Sequence, residues 1–292
     1  MTMGAHGING IDHLVIAVRD LDKARDAYQR MGFTITPRGR HTELKSINHT
    51  FMFGADDYVE LLAVEEPHPV TAYYSDFLKE REGIAAVALK TDDARAAQRL
   101  LSEAGFPASQ AVDFGRPVDL PEGTRDARFT ITQIDVAKDL GGRVFLCQHH
   151  TRDVVWRPEY VQHENTATGL AALVVAADDP DAVAASYARL FGTAVQEKGP
   201  ARLVPTGDTP IVVAAPAALH WGWTSDPALT APRPFLAGYV VRVADLDRAQ
   251  QALQKSKFPT VVGNGVLRVS SASACGAMLA FAKEFDLRTL IP

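Results

Sequence analysis

Three short stretches carry side chains that could do chemistry. His13 lies in IDHLVIAV, where nearly every neighbour is apolar. An imidazole there is either a satisfied core group or a group aimed into a pocket, and as a ligand it suits Zn, Fe, Ni or Mn. Glu60 interrupts the apolar run YVELLAV. A carboxylate so placed turns outward, or is buried and must be paired; a bound cation would satisfy it. The third stretch is RVFLCQHH, residues 143–150. On a strand, Cys147 and His149 share one face and Gln148 and His150 the other. A slip of one residue exchanges the faces, so the register stays open.

Polar residues near these stretches supply further candidates. GRHTELKSINH reads as a loop able to cover a pocket. His41 or Asn48 could hydrogen-bond a substrate oxygen, and His41 could act as a general base with a pKa near neutrality. Arg143, Arg116 and Arg157 are candidate anion binders, because a guanidinium matches a carboxylate bidentately. WRPEY would bring Trp156 and Arg157 to the mouth of such a pocket; surface pairing and packing are the plainer alternatives. His6, His68, His163 and His220 have no companion pattern. The thiols Cys147 and Cys275 form no CxxC site and read as small buried apolar residues.

The elements that must position these groups repeat. GIDHLVIAVRDLDKARDAYQRMGF, residues 10–33, reads as a strand, a turn with Asp, and a helix with Ala24, Ala27, Tyr28 and Met31 on one face. Gly32 sits where a helix C-cap belongs. The pattern returns at residues 83–106, 169–192 and 235–258. In the third copy Asp179-Pro180 makes an N-cap followed by a first-turn proline. Weaker strand signals follow each helix, so the unit is one strand, one helix and about three strands. One such unit leaves a sheet face bare, and pairing two buries it.

Composition sets the outer limits. The 292 residues carry 30 Lys+Arg against 35 Asp+Glu, a net charge of −5. That disfavours a nucleic-acid binder, which needs a cationic surface. No apolar run approaches the roughly 18–20 residues of a membrane span, and MTMGAHGING lacks the pattern of a signal peptide. A cytoplasmic protein with no membrane or nucleic-acid partner is expected, and a homodimer is open. GxGxxG, Walker A, GxSxG and HExxH are absent, so nucleotide and α/β-hydrolase readings lack support.

Four β-α-β-β-β units resemble the vicinal oxygen chelate superfamily, which includes glyoxalase I, fosfomycin-resistance proteins and extradiol dioxygenases. GRHTELKSINHTFMF, YVELLAV and FLCQHHTRDVVWRPEYVQHENTA are similar to bacterial glyoxalase-like domain proteins. The resemblance implies an α+β fold of four βαβββ modules paired into two domains. The domains would span 7–150 and 169–292, with 151–168 as a connection whose Trp156 and Tyr160 pack on one or both of them. It also implies a divalent metal (Zn, Fe, Mn or Ni) in a cupped sheet, chelated by adjacent oxygens of a small substrate.

Residue by residue, His13 matches the first-strand ligand and Glu60 the last-strand ligand. The second-histidine position holds Ala86, and its counterparts are Ala172 and Gly238. The fourth-ligand position falls near Leu146 or Gln148. His149 is the favoured third ligand; with His13 and Glu60 it would leave positions open for substrate or water. The N-terminal pair is thus expected to be a metal-dependent enzyme of lyase, isomerase or dioxygenase type. The alternative is a protein that binds or sequesters a small molecule without turnover. The C-terminal pair would be a degenerate copy with a structural task.

Overall fold

The structure, a computed structural model, describes residues 5–120, 123–219, 226–287 and 290; His220 lies outside them. The first module is β1 (Ile11–Ala17), α1 (Leu21–Arg30), β2 (Gly39–His41), β3 (Ser46–Met52) and β4 (Tyr58–Val64). A connecting helix α2 (Ala72–Glu80) leads to the second: β5 (Gly83–Lys90), α3 (Ala94–Glu103), β6 (Val112–Leu120), β7 (Gly123–Ile134), α4 (Ala137–Leu140) and β8 (Arg143–His149). The short α5 (Arg152–Val155) follows. The third module holds β9 (Ala167–Ala176), α6 (Pro180–Phe191), β10 (Gln196–Lys198), β11 (Ala201–Val204) and β12 (Ile211–Ala214). The fourth holds β13 (Phe235–Val243), α7 (Leu246–Lys255), β14 (Val261–Gly263), β15 (Val266–Val269) and β16 (Met278–Ala282).

The four long module helices start by one device. Asp20, Asp93, Asp179 and Asp245 each accept a backbone N–H of the first turn through the side chain. Each satisfies a donor the helix itself cannot pair. Within every module the first and last strands run parallel (β1 with β4, β5 with β8, β9 with β12, β13 with β16). The modules then join in pairs through antiparallel first strands, β1 with β5 and β9 with β13. Two eight-stranded mixed sheets result, ordered β2-β3-β4-β1-β5-β8-β7-β6 and β10-β11-β12-β9-β13-β16-β15-β14. This is the expected α+β arrangement of paired modules. The segment read as a loop over the pocket is instead edge strand β2 and its neighbour β3, paired in register. Among the described residues, no helix is long and apolar enough to cross a membrane.

Alternate residues of the strands face opposite sides, and the sides differ sharply. Leu14, Ile16, Phe51, Val59, Leu61 and Val87 point to the helices and belong to one apolar core. That core continues into Leu173, Val175, Leu236, Tyr239 and Phe281 of the second sheet. The two sheets therefore share their helix-bearing faces. Tyr28 donates to the carbonyl of Ala274 and accepts from the Tyr239 hydroxyl, both at 3.2 Å, so buried phenols bridge the halves. His163, a background histidine by sequence, is a strut: its ring accepts from Thr34 N–H and donates to the Met52 carbonyl.

The opposite faces look outward as two hollows. In the second sheet Ala172, Val174, Val212, Val240, Met278 and Ala280 fill the hollow, and Leu219, Leu229 and Leu290 pack over them. A Cβ on Gly238 would meet the Met278 carbonyl oxygen at 2.3 Å. In the first sheet the hollow stays open, and charged and polar side chains enter it among apolar ones. Both cysteines are free thiols, Cys147 buried and Cys275 half-buried.

Candidate functional site

The open hollow lies over the centre of the first sheet. His13 comes from β1; Asn48, Thr50, Tyr58, Glu60 and Leu62 come from β3 and β4; Arg143, Phe145 and Cys147 come from β8. Strands β6 and β7 supply Phe114, Arg116, Phe129, Ile131 and Gln133, and α2 lays Tyr74 across one end. The cavity measures about 110 Å³.

His13 is held on every side. Its ring stacks on Tyr58 at 4.2 Å between centroids and meets Phe145 edge-on at 5.5 Å. Nδ1 lies 2.7 Å from Oδ1 of Asp12. A β-bulge between Ile11 and His13 interrupts the ladder here, and bulges re-aim side chains. Burial by itself would raise the Asp12 pKa. The His149 charge and the hydrogen bonds from His13 and His149 outweigh it and hold the carboxyl well below the usual carboxylate range. An ionised carboxylate only accepts, which assigns the facing proton to His13 Nδ1. Nε2 is then turned towards Glu60, whose Oε2 is 3.8 Å away. Oε1 of Glu60 accepts from Asn48 Nδ2 at 2.5 Å.

His13 and Glu60 thus meet in one hollow, but His149 does not join them. Its Nε2 lies 3.1 Å from the same Asp12 oxygen, and its ring is closed in by Phe129 and Trp156. It is a partner of Asp12, not a third donor beside Glu60. Nδ1 of His149 and Oδ2 of Asp12 are buried without a hydrogen-bond partner. Asp12, Cys147 and His149 offer ligand atoms within 4.8 Å of one another and form a buried group that could hold a metal ion. Burial pushes the Cys147 thiol well above its usual range.

Register places the positions that the sequence left open. Across β1 and β4, His13 faces Tyr58 and Val15 faces Glu60. Across β5 and β8, Ala86 faces Arg143 and Ala88 faces Phe145. With Ala86 where His13 would be, Phe145 stands where Glu60 would be, not Leu146 or Gln148. The duplicated half of a four-donor set is therefore apolar. The half that remains fits a divalent ion. His13 Nε2 and Glu60 Oε2 are 3.8 Å apart, too far to hydrogen-bond directly, and an imidazole and a carboxylate are ligand types that suit such a cation. The buried Asp12 behind the imidazole is the arrangement that orients metal-binding histidines.

The other candidates divide. His41 is buried on β2, with Nδ1 at 3.1 Å from Ser46 Oγ. Burial, aided by Arg116 and His13 and opposed by Glu60, lowers its pKa to about 4. It is therefore neutral at physiological pH, a hydrogen-bonding group and not a base poised near neutrality. Asn48 lies in the hollow, as does Arg143. The Arg143 guanidinium lies over the rings of Tyr73 and Tyr74 and donates to Gln133 Oε1. Trp156 and Arg157 do not line the hollow. The Trp156 indole packs on Tyr58 and donates to the Phe53 carbonyl, which makes it part of the wall behind. Arg157 donates to Glu159 at 3.1 Å. Sequence reasoning missed Asp12, hidden as an acid in an apolar strand beside His13, and Tyr74, carried on the unexpected α2.

A family model described as a glyoxalase-like domain matches residues 11–191. No protein of curated function matches the chain. Among solved structures, a hypothetical protein from Staphylococcus aureus superposes with a TM-score of 0.67 at 13% identity, over 93% of this chain and 98% of that one. A mutant of 4-hydroxymandelate synthase from Streptomyces coelicolor gives a TM-score of 0.60 at 11% identity, over 97% and 96%. A fusion of a xylose isomerase-like TIM barrel with 4-hydroxyphenylpyruvate dioxygenase gives 0.58 at 12% identity, over 96% and 49%. At these identities the likeness is one of fold.

Proposed function

The chain belongs to the glyoxalase-like domain family of the vicinal oxygen chelate superfamily, and on that footing we propose that its N-terminal hollow is a metal-assisted enzyme site for a small oxygen-bearing metabolite. His13 and Glu60 would hold the ion, with Asp12 orienting the imidazole and Asn48 the carboxylate. When bound, a divalent ion supplies Lewis-acid polarisation of a ligand oxygen, common to lyase, isomerase and dioxygenase chemistry.

The remaining work falls to the chain. Neutral His41 offers a hydrogen bond to a ligand oxygen without adding charge. The rings of Tyr58, Phe114, Phe129 and Phe145 keep water from the reacting group, which strengthens each polar contact inside. The observation that carries this reading is the pair of donors, His13 Nε2 and Glu60 Oε2, 3.8 Å apart in a shared hollow. Titration calorimetry with Mn2+ on chelator-treated protein tests it. His13→Ala and Glu60→Gln are each expected to weaken binding at least tenfold; affinity equal to wild type in both variants would refute it.

A second reading, binding without turnover, is favoured by Ala86 and Phe145 at the other two donor positions. A pure binder would gain the same thermal stabilisation from a small aromatic oxyanion in EDTA as in Mn2+. A metal-assisted site would gain more with the ion present.

A further inference from the structure

Arg116 is a half-buried cation beside the donor pair. Among the described residues it forms no ion pair, whereas Arg152 is paired with Asp56 and Arg157 with Glu159. Burial lowers its pKa, and the field of Glu60 opposes that. A guanidinium still stays charged at any physiological pH, so this one is held partly desolvated and waiting for an anion.

Its placement is built. A Cβ on Gly39 would come within 2.3 Å of Asn48 Oδ1 and 3.0 Å of Arg116 Nη1. A side chain at position 39 would press on both the Asn48 amide and the guanidinium, which lies near β2 at the seam between edge strands β2 and β6. Beside it, Phe114 and Phe129 stack at 5.0 Å and 20°. These three residues also line an outer groove with Arg95, Arg128 and His150. Arg116 therefore stands at the mouth, with apolar wall further in.

Size narrows the ligand. The hollow of about 110 Å³ is smaller than the roughly 150 Å³ cavity that accepts a benzene ring, so a ring-sized acid fits with its carboxylate end at Arg116, where the hollow meets the outer groove. We infer that the hollow takes a compact apolar acid, about one substituted ring in size, whose carboxylate is bound by Arg116 while a neighbouring oxygen faces His13 and Glu60. This rests on the reading of the hollow as a ligand site and adds the class of ligand.

Salicylate and its neutral isostere salicylamide are suitable probes, titrated into the full chain in EDTA and in Mn2+. Wild type is expected to bind salicylate at least tenfold more tightly than salicylamide. Arg116→Gln should abolish that preference while keeping salicylamide affinity within threefold, which also shows that the hollow is intact. Arg116→Lys should retain part of the preference, and Gly39→Ala should reduce it. Equal binding of both probes by wild type, or a preference that survives Arg116→Gln, overturns the inference, as does no binding of either. The two readings fail separately. A preference lost in Arg116→Gln but indifferent to Mn2+ and to His13→Ala supports the anion site and sinks the metal. A response to Mn2+ with no preference for the acid does the reverse.

Discussion

Asp12 decides what His13 can do. One carboxylate oxygen accepts a hydrogen bond from each of two imidazoles, so His13 turns Nε2 to the hollow. Asp12→Asn puts an amide in that place and frees the ring to turn. Outer partners of this kind are worth about 10–100-fold in metal affinity, and a loss of that order in Mn2+ calorimetry, with native circular dichroism, is the expected result. His41 gives a pH signature. Its pKa is about 4 when folded and about 6.5 when unfolded, so the unfolded chain binds the extra proton first. Its contribution to stability is full above about pH 6.5 and is lost as pH falls towards 4. His41→Gln should remove that rise, so that its urea-midpoint profile falls more steeply with pH than the wild type's; an unchanged slope would show that His41 is not buried as described. His13 and Glu60 were legible because each breaks an apolar run. Asp12 was not, since an acid beside a histidine has no visible direction until a bulge sets it. Trp156 and Arg157 were misplaced because WRPEY shows that large groups must pack somewhere, but not on which side of a strand.

At the scale of elements, the module repeat was readable because helix period, Asp caps and strand runs recur together. The register of β8 was not, because adjacent polar residues fit either face equally well. Once β5 and β8 are paired, Phe145 becomes the symmetry counterpart of Glu60, 5.5 Å from the His13 ring. Phe145→Glu would place a second carboxylate beside the donor pair. At least a tenfold gain in Mn2+ affinity is expected, whereas Leu146→Glu, on the helix-facing side of the same strand, should mainly destabilise. No gain from Phe145→Glu would mean that the donor geometry of the two modules is not equivalent. Helix α2 was the element least foreseen, since YYSDFLKE alternates no clear face. Yet it closes the hollow with Tyr74, and its Tyr73 hydroxyl ties it to the sheet through Ala85 and Arg143.

For the whole molecule, the joined core makes each sheet dependent on the other. Asp57 marks this at the boundary. Its buried carboxylate accepts from Leu170 N–H at 3.2 Å, and burial raises its pKa to about 7 against the pull of that bond and of Lys90. Here the sign is opposite to that of His41. The folded protein keeps a proton that the unfolded chain gives up above about pH 4, so stability is full below that value and lost as pH rises through 7. Asp57→Asn should remove this decline and raise the thermal midpoint at pH 8 relative to pH 5. The variant and wild type declining in parallel would count against it. Because Asp57 and His41 tilt the same pH window in opposite senses, the wild-type profile is expected to be flatter than either variant's.

The packed second hollow has an evolutionary corollary. Position 238, the counterpart of His13, has no room for even a methyl group beside the Met278 carbonyl. No single codon change can therefore restore an imidazole there. In a saturation mutational scan, the two halves would separate on one plot. Lesions around Ala172, Gly238 and Met278 should cut cellular abundance and output together, while lesions at His13 and Glu60 should cut output and spare abundance.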